Sequence, residues 1–185
     1  MLIDITLEIT PQMAQDARGN ERKALSGHLG THFDVMDKEF PLAYTRRPSV
    51  VFDVRAVRGR DIEPEDVDLT RVEPGMFVAF CSGFITEQGY GGKTYFSAHP
   101  QLSHALIDAL LDRGVSILGV DFAGVRRGAE HTPTDQRCAD RGAFVVENLW
   151  GLEQILAHGA DFTAHTYPLR YASATGLPCR VVAEL

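Results

Sequence analysis

The sequence predicts an α/β fold whose sheet is covered by at least one helix layer, and three features of the chain carry that prediction. Strand-like segments recur from Ile3, Ile5 and Leu7 at one end to "PCRVVAEL" at the other. A helix-patterned stretch starting at Pro100 is followed by "VSILGVDF", a continuous apolar run of strand length. The same helix-then-strand order returns where "GLEQILAHG" precedes the last segments.

The first strand rests on the alternation of Ile3, Ile5 and Leu7, which puts three apolar side chains on one face. "VVFDVRAV", Val50 to Val57, is dense in β-branched residues and reads as a strand. "RDIEPEDVDLTRVEPG" carries turn chemistry and reads as surface connection, after which "MFVAFCSGF" forms a mostly buried strand ending at Gly83. "EQGYGGKTYFS" is glycine-rich and polar, so a mobile loop is expected there. The next helix begins at Pro100, a favoured first-turn residue, carries Leu102, Leu106, Ala109 and Leu110 along one face, and stops at Gly114. "AFVVENL" and "PCRVVAEL" supply two further strands. No repeat, low-complexity tract or linker divides the chain, so residues 1–185 are expected to form one domain.

With 185 residues, 44% of them hydrophobic, the chain can bury a real core. Its net charge of -7, with Arg and Lys scattered, advertises no basic face, which points to a small-molecule partner rather than nucleic acid. "MLIDITLEIT" lacks the basic and apolar regions of a secretory signal, and no apolar run approaches bilayer length, so a cytoplasmic protein without membrane contact is expected. Cys81, Cys138 and Cys179 lie far apart without any CxxC, which fits reduced thiols.

The chemistry concentrates in "GHLGTHFDVMDKEF", where His28, His32 and Asp34 form HxGTHxD. With seven histidines, an HxxxH pair arises by chance about a quarter of the time, so the pair alone is weak and the Gly-Thr and Asp sharpen it. Gly30 and Thr31 are poor mid-helix residues and no Glu follows His28, which argues against a helical HExxH site. In a strand, positions 28, 30, 32 and 34 would share a face, with Gly30 leaving room between the imidazoles. Two imidazoles and a carboxylate suit a divalent cation such as Zn2+ or Mn2+ and leave positions open for water.

"HLGTHFD", followed in order by "VVFDV", "VEPGMFVAFCSGF", "YFSAHPQLS", "GVSILGVDF", "FVVENLWGLEQI" and "LPCRVVAEL", resembles the cyclase family of metal-dependent hydrolases, which includes kynurenine formamidase and isatin hydrolase. The resemblance implies a swivelling β/β/α domain with a mixed β-sheet core, assembled as a homodimer or homotetramer. It also implies one or two divalent ions, Zn or Mn, and hydrolysis of a small amide, formamide or cyclic amide. N-formylkynurenine, an intermediate of tryptophan catabolism, is the best-known substrate it implies. A lactone or cyclic-imide hydrolase and a non-catalytic metal-binding relative are the alternatives.

Carried over by position, the first ligands fall on His28, His32 and Asp34, and a second metal would be shared by Asp34, Glu147 of "FVVENL" and a later residue. The family spacing puts that residue at Asp135, whereas the nearest histidine is His131, and both types bind divalent metals. "HTPTDQ" also reads as a loop with Thr132 or Thr134 capping a short helix. The family continues HxGTHxDxPxH with a final general acid/base, but here those positions are Met36 and Lys38. Lys38 would need a depressed pKa to act as a base, or as a cation it would stabilise an oxyanion or bind an acidic substrate while Glu147 or Asp34 takes the proton. Arg126 and Arg127 are candidates to hold a substrate carboxylate, against a solvent-facing turn, and His99 and His104 read as structural or surface histidines.

Overall fold

The computed structural model describes residues 1–18, 27–172 and 174–185. Nine strands among these residues make one mixed, curled sheet: β1 (Leu2–Asp4), β2 (His32–Asp34), β3 (Arg46–Asp53), β4 (Phe77–Cys81), β5 (Ile117–Val120), β6 (Phe144–Glu147), β7 (Asp161–Thr166), β8 (Gly176–Pro178) and β9 (Val181–Glu184). Their order is β1-β9-β7-β3-β4-β5-β6-β2-β8. β3 to β6 pair in parallel, and the strands flanking this block pair antiparallel. β2, early in the chain, is thereby inserted beside β6 near one edge.

Alternation along the strands separates two apolar cores. Val78 and Phe80 of β4 and Leu118 and Val120 of β5 join the core on the helix side, while Phe77 and Ala79 of β4 and Val146 of β6 fill the opposite one. The α-helices among the described residues are α1 (Pro11–Asp16), α2 (Phe84–Gln88), α3 (Lys93–Ala98), α4 (His104–Asp112), α5 (His131–Asp140) and α6 (Leu152–Leu156). α4 buries Leu106, Ile107, Leu110 and Leu111 against the first core. No helix among the described residues is long and apolar enough to cross a membrane.

The expected strands are found with shifted ends, β3 covering Arg46–Asp53 instead of Val50–Val57 and β1 stopping at Asp4, and three helical expectations are corrected. α4 starts at His104 rather than Pro100, because residues 101–103 are drawn into a short parallel bridge in which Ile62 N donates to Gln101 O and Ser103 N to Ile62 O. Ser103 then caps the helix, its Oγ accepting from Leu106 N at 3.1 Å. "EQGYGGKTYFS" is not simply loop: α2 and α3 flank its glycines, and Tyr95 is fully buried. Thr132 and Thr134 lie inside α5 instead of capping it.

Candidate metal centre

β2 places two donors. His32 and Asp34 are alternate residues and share a face, while Phe33 between them enters the opposite core. Glu147, the last residue of β6, stands directly across from His32 in the antiparallel register. His32 Nε2 is 3.6 Å from Asp34 Oδ1 and 3.6 Å from Glu147 Oε2. His28 arrives from the preceding turn, with Nε2 3.0 Å from Asp34 Oδ1 and its ring edge-on to His32.

The expected strand over positions 28–34 is shorter. Gly30 has φ 71°, a left-handed conformation, and a Cβ there would meet Ile9 Cδ1 at 2.6 Å. Gly30 therefore turns the chain against Ile9 instead of opening space between the imidazoles.

α5 supplies the other half. His131 and Asp135, one turn apart, share a helix face, so the sequence alternative resolves into both residues reaching the cluster. His131 Nε2 is 3.1 Å from Asp135 Oδ2 and 3.3 Å from Glu147 Oε1, the latter close but not aligned as a hydrogen bond. His131 packs over Gly124, where a Cβ would come within 2.6 Å of Cε1, so that glycine makes the room.

Two three-donor groups result, His28 with His32 and Asp34, and Asp34 with His131 and Asp135, each with donor atoms within 4.8 Å of one another. Asp34 belongs to both. His32 Nε2, Asp34 Oδ2, Asp135 Oδ1 and Glu147 Oε1 are buried without a hydrogen-bond partner. Each such orphan costs about 1–3 kcal/mol. Four converging in one cluster fit a cation, and the mixture of imidazole nitrogens and carboxylate oxygens suits Zn2+ or Mn2+ better than an all-oxygen ion.

The electrostatics agree. Burial draws the His32 pKa down, but the Asp34 and Glu147 carboxylates and the Gly30 carbonyl raise it to about 9. Burial pushes Asp34 up, and His32 and His28 overcome this and hold it well below the usual carboxylate range. Asp135 is lifted to about 7 by burial and the Asp34 charge despite His131 beside it. Asp135 and Glu147 in turn raise His131 to about 11. A pocket that holds protons on His32 and His131 this firmly also attracts a metal cation, which must displace them.

The remaining predicted residues lie elsewhere. Met36 adopts φ 56° and Lys38 N bonds back to Val35 O, so the chain leaves the strand immediately after Asp34. The Lys38 ammonium sits at the surface, 2.7 Å from Asp140 and 3.1 Å from Asp37, which raise its pKa. A base requires the opposite shift, so the raised pKa argues against the proton-transfer role, while for the oxyanion role Lys38 keeps its charge but spends it on two surface carboxylates. Arg126 is buried and its donors are engaged by Asp61, Glu130 and Leu102 O, so it is a structural clamp rather than a carboxylate receptor.

Arg127 is half-buried, its Nη1 3.4 Å from Ser97 O. Burial, with smaller contributions from Arg127 and His131, depresses the His99 pKa to about 4. His104 is exposed and pairs with Glu130 at 3.6 Å. Thr31, Tyr90, Tyr95 and Asn148, absent from the sequence-derived site, surround the turn that carries His28 and His32. "FVVENL" held the signal for Asn148 beside Glu147.

The fold is similar to that of a potential metal-dependent hydrolase with cyclase activity, at 20% identity and TM-score 0.76 over 99% of this chain and 96% of that one. Isatin hydrolase A from Labrenzia aggregata matches at 19% identity and TM-score 0.73, over 99% and 93% of the two chains. A predicted metal-dependent hydrolase from Bacillus stearothermophilus matches at 18% identity and TM-score 0.72, over 99% and 97%. No curated protein sequence matches the chain. The family model described as putative cyclase matches residues 3–126, a span that holds His28, His32 and Asp34 and ends before His131, Asp135 and Glu147. With more than half its length matched, the chain belongs to the cyclase family.

Proposed function

We propose that the protein is a hydrolase that uses a divalent metal centre to open a small amide, formamide or cyclic amide with water. The observation that carries this reading is the pair of donor groups sharing Asp34, with four buried donor atoms left unpartnered. Family membership and the likeness to metal-dependent hydrolases support it. His28, His32 and Asp34 would hold one Zn2+ or Mn2+, and Asp34, His131 and Asp135 a second. When bound, the ion supplies Lewis acidity toward a carbonyl and a water of lowered pKa.

Glu147 is buried between the two imidazoles of His32 and His131, which supports giving its carboxylate the role of taking a proton from the attacking water and returning it to the leaving nitrogen. Arg127, half-buried with one guanidinium nitrogen on Ser97 O, is the cation we assign to the carboxylate of an acidic substrate or product. The family resemblance supports a homodimer or homotetramer as the working form, which light scattering measures.

The test is hydrolysis by Zn2+- and Mn2+-loaded protein across formamides including N-formylkynurenine, cyclic amides including isatin, cyclic imides and lactones. Turnover of an amide class that falls at least roughly a hundredfold in Glu147→Gln supports the reading. Turnover confined to lactones moves the substrate class. Stoichiometric metal without turnover on any of them favours a metal-binding protein.

A further inference from the structure

The turn that carries the first two histidines is bonded at two points by one residue on the neighbouring strand end. Asn148 follows Glu147 directly, is buried, and adopts φ 58°, the left-handed conformation that asparagine tolerates better than most side chains. Its Nδ2 donates to Gly30 O at 2.9 Å, and the same carbonyl accepts from His32 Nδ1 at 2.8 Å. Its backbone carbonyl accepts from Thr31 Oγ1 at 2.8 Å. Tyr95, from the glycine-rich segment, donates its hydroxyl to Asn148 Oδ1 at 2.7 Å. Tyr90, from the same segment, accepts from Gly30 N at 3.0 Å.

These bonds determine more than shape. A histidine that carries its proton on Nδ1 offers Nε2 to a metal, and the orientation of the ring follows the acceptor that holds Nδ1–H. Gly30 O is that acceptor, and Asn148 fixes where it points. The amide of asparagine can present either end; the Gly30 carbonyl, which only accepts, selects the end that turns Nδ2 toward it, and the Tyr95 hydroxyl, donating to Oδ1, holds that orientation. Tyr95 is fully buried, so its hydroxyl keeps its proton and remains a donor.

We propose that Asn148, set in orientation by Tyr95, is a positioning residue of the metal centre: it holds the Gly30 carbonyl against His32 Nδ1 and so presents His32 Nε2 to the ion. The proposal rests on the metal-centre reading above. It also gives the segment Tyr90–Tyr95 a function, since one chain segment braces both the N–H and, through Asn148, the C=O of Gly30. Because Asn148 is adjacent to Glu147, the same residue couples the proton-accepting carboxylate to the turn bearing His28 and His32.

The test measures Zn2+ affinity of the full chain by competition with a chromophoric chelator, together with metal-free thermal unfolding and the 15N signals of the His32 ring in Zn2+-loaded protein. Asn148→Gly keeps the left-handed backbone without strain and removes the amide. It is expected to weaken Zn2+ binding about 10–100-fold and to expose the His32 Nδ1 proton to fast exchange. Tyr95→Phe, which removes one hydroxyl and keeps the ring, is expected to weaken binding about fivefold.

Affinities within twofold of wild type in both variants overturn the proposal. So does weakened binding with the His32 Nδ1–H signal unchanged, since Asn148 would then act on the fold and not on His32. If Asn148→Gly fails to fold, Tyr95→Phe decides by the same two readouts. Wild-type protein that binds neither Zn2+ nor Mn2+ overturns the metal-centre reading and this proposal with it, whereas normal wild-type binding with unaltered variants removes this proposal alone.

Discussion

Loading metal-free protein with Zn2+ or Mn2+ is expected to raise its unfolding temperature sharply, and the structure sets the scale. Four buried donor atoms lack protein partners, a deficit of roughly 4–12 kcal/mol if each costs about 1–3 kcal/mol. The ion does not recover all of it, because binding must expel protons held by His32 at about 9 and by His131 at about 11. Metal in thousandfold excess over its Kd adds about 4 kcal/mol by mass action. For a chain of this length that corresponds to about 8–16 °C.

The sign of the pH effect follows from the same two histidines. Both imidazoles are protonated in the metal-free cluster below their raised pKa values, so each pH unit gained between 6 and 8 strengthens binding by up to about tenfold per displaced proton. The assay is thermal unfolding with chelator, Zn2+, Mn2+ or Mg2+, repeated at three pH values and in His32→Ala. An equal rise with Mg2+, an undiminished rise in His32→Ala, or affinity that is flat in pH would refute the reasoning.

Lys38→Met is expected to leave metal affinity and turnover within about twofold, because the ammonium it removes belongs to a surface ion pair with Asp140 and Asp37; metal titration and steady-state kinetics check this. Arg126→Met is expected to lower stability by about 2 kcal/mol in urea unfolding, since it leaves Leu102 O and the partly exposed Asp61 and Glu130 without their donor. His99 is held by burial at about 4, whereas the unfolded chain takes up its proton near 6.5. The unfolded state therefore binds more protons between these values, so the contribution is present above pH 6.5 and is lost as pH falls through 4, by up to about 3 kcal/mol. Urea unfolding of wild type and His99→Gln from pH 7.5 to 4 should show that slope as the difference between the two proteins, since Asp135, raised to about 7, contributes with the opposite sign in both.

The strands were legible because apolar alternation and β-branched runs are local signals, and the sheet takes them up over Phe77–Cys81, Ile117–Val120, Phe144–Glu147 and Val181–Glu184. The helix boundary near Pro100 was not, because Ile62, about forty residues upstream, captures residues 101–103 in a bridge that no local pattern announces. Likewise the choice between His131 and Asp135 depended on an assumed loop. The α-helix over His131–Asp140 removes the choice, since a spacing of four places both on one face. Lys38 shows a related limit of local reading: its position in the motif assumes a continuous path, and the left-handed Met36 ends that path after Asp34. Asn148, Tyr90 and Tyr95 act through bonds to a backbone peptide, and motif reading, which looks for metal donors, passes over such residues.

Inserting β2 between β6 and β8 is what makes two distant motifs into one site. Side chains alternate with period two, so a shift of one residue in the β2–β6 register would turn His32 and Asp34 into the apolar core and bring Phe33 to face Glu147. Two polar donors entering that core would each lose their partners, which makes the slipped state unfavourable by several kcal/mol. Thr31 fixes the correct register from three directions: its Oγ1 accepts from Leu7 N and donates to Asn148 O, and its carbonyl accepts from Cys179 N. The Gly-Thr between the two histidines thus has separate duties, a left-handed turn at Gly30 and a register pin at Thr31. That division explains why the spacing HxGTHxD carries information that a bare HxxxH pair does not.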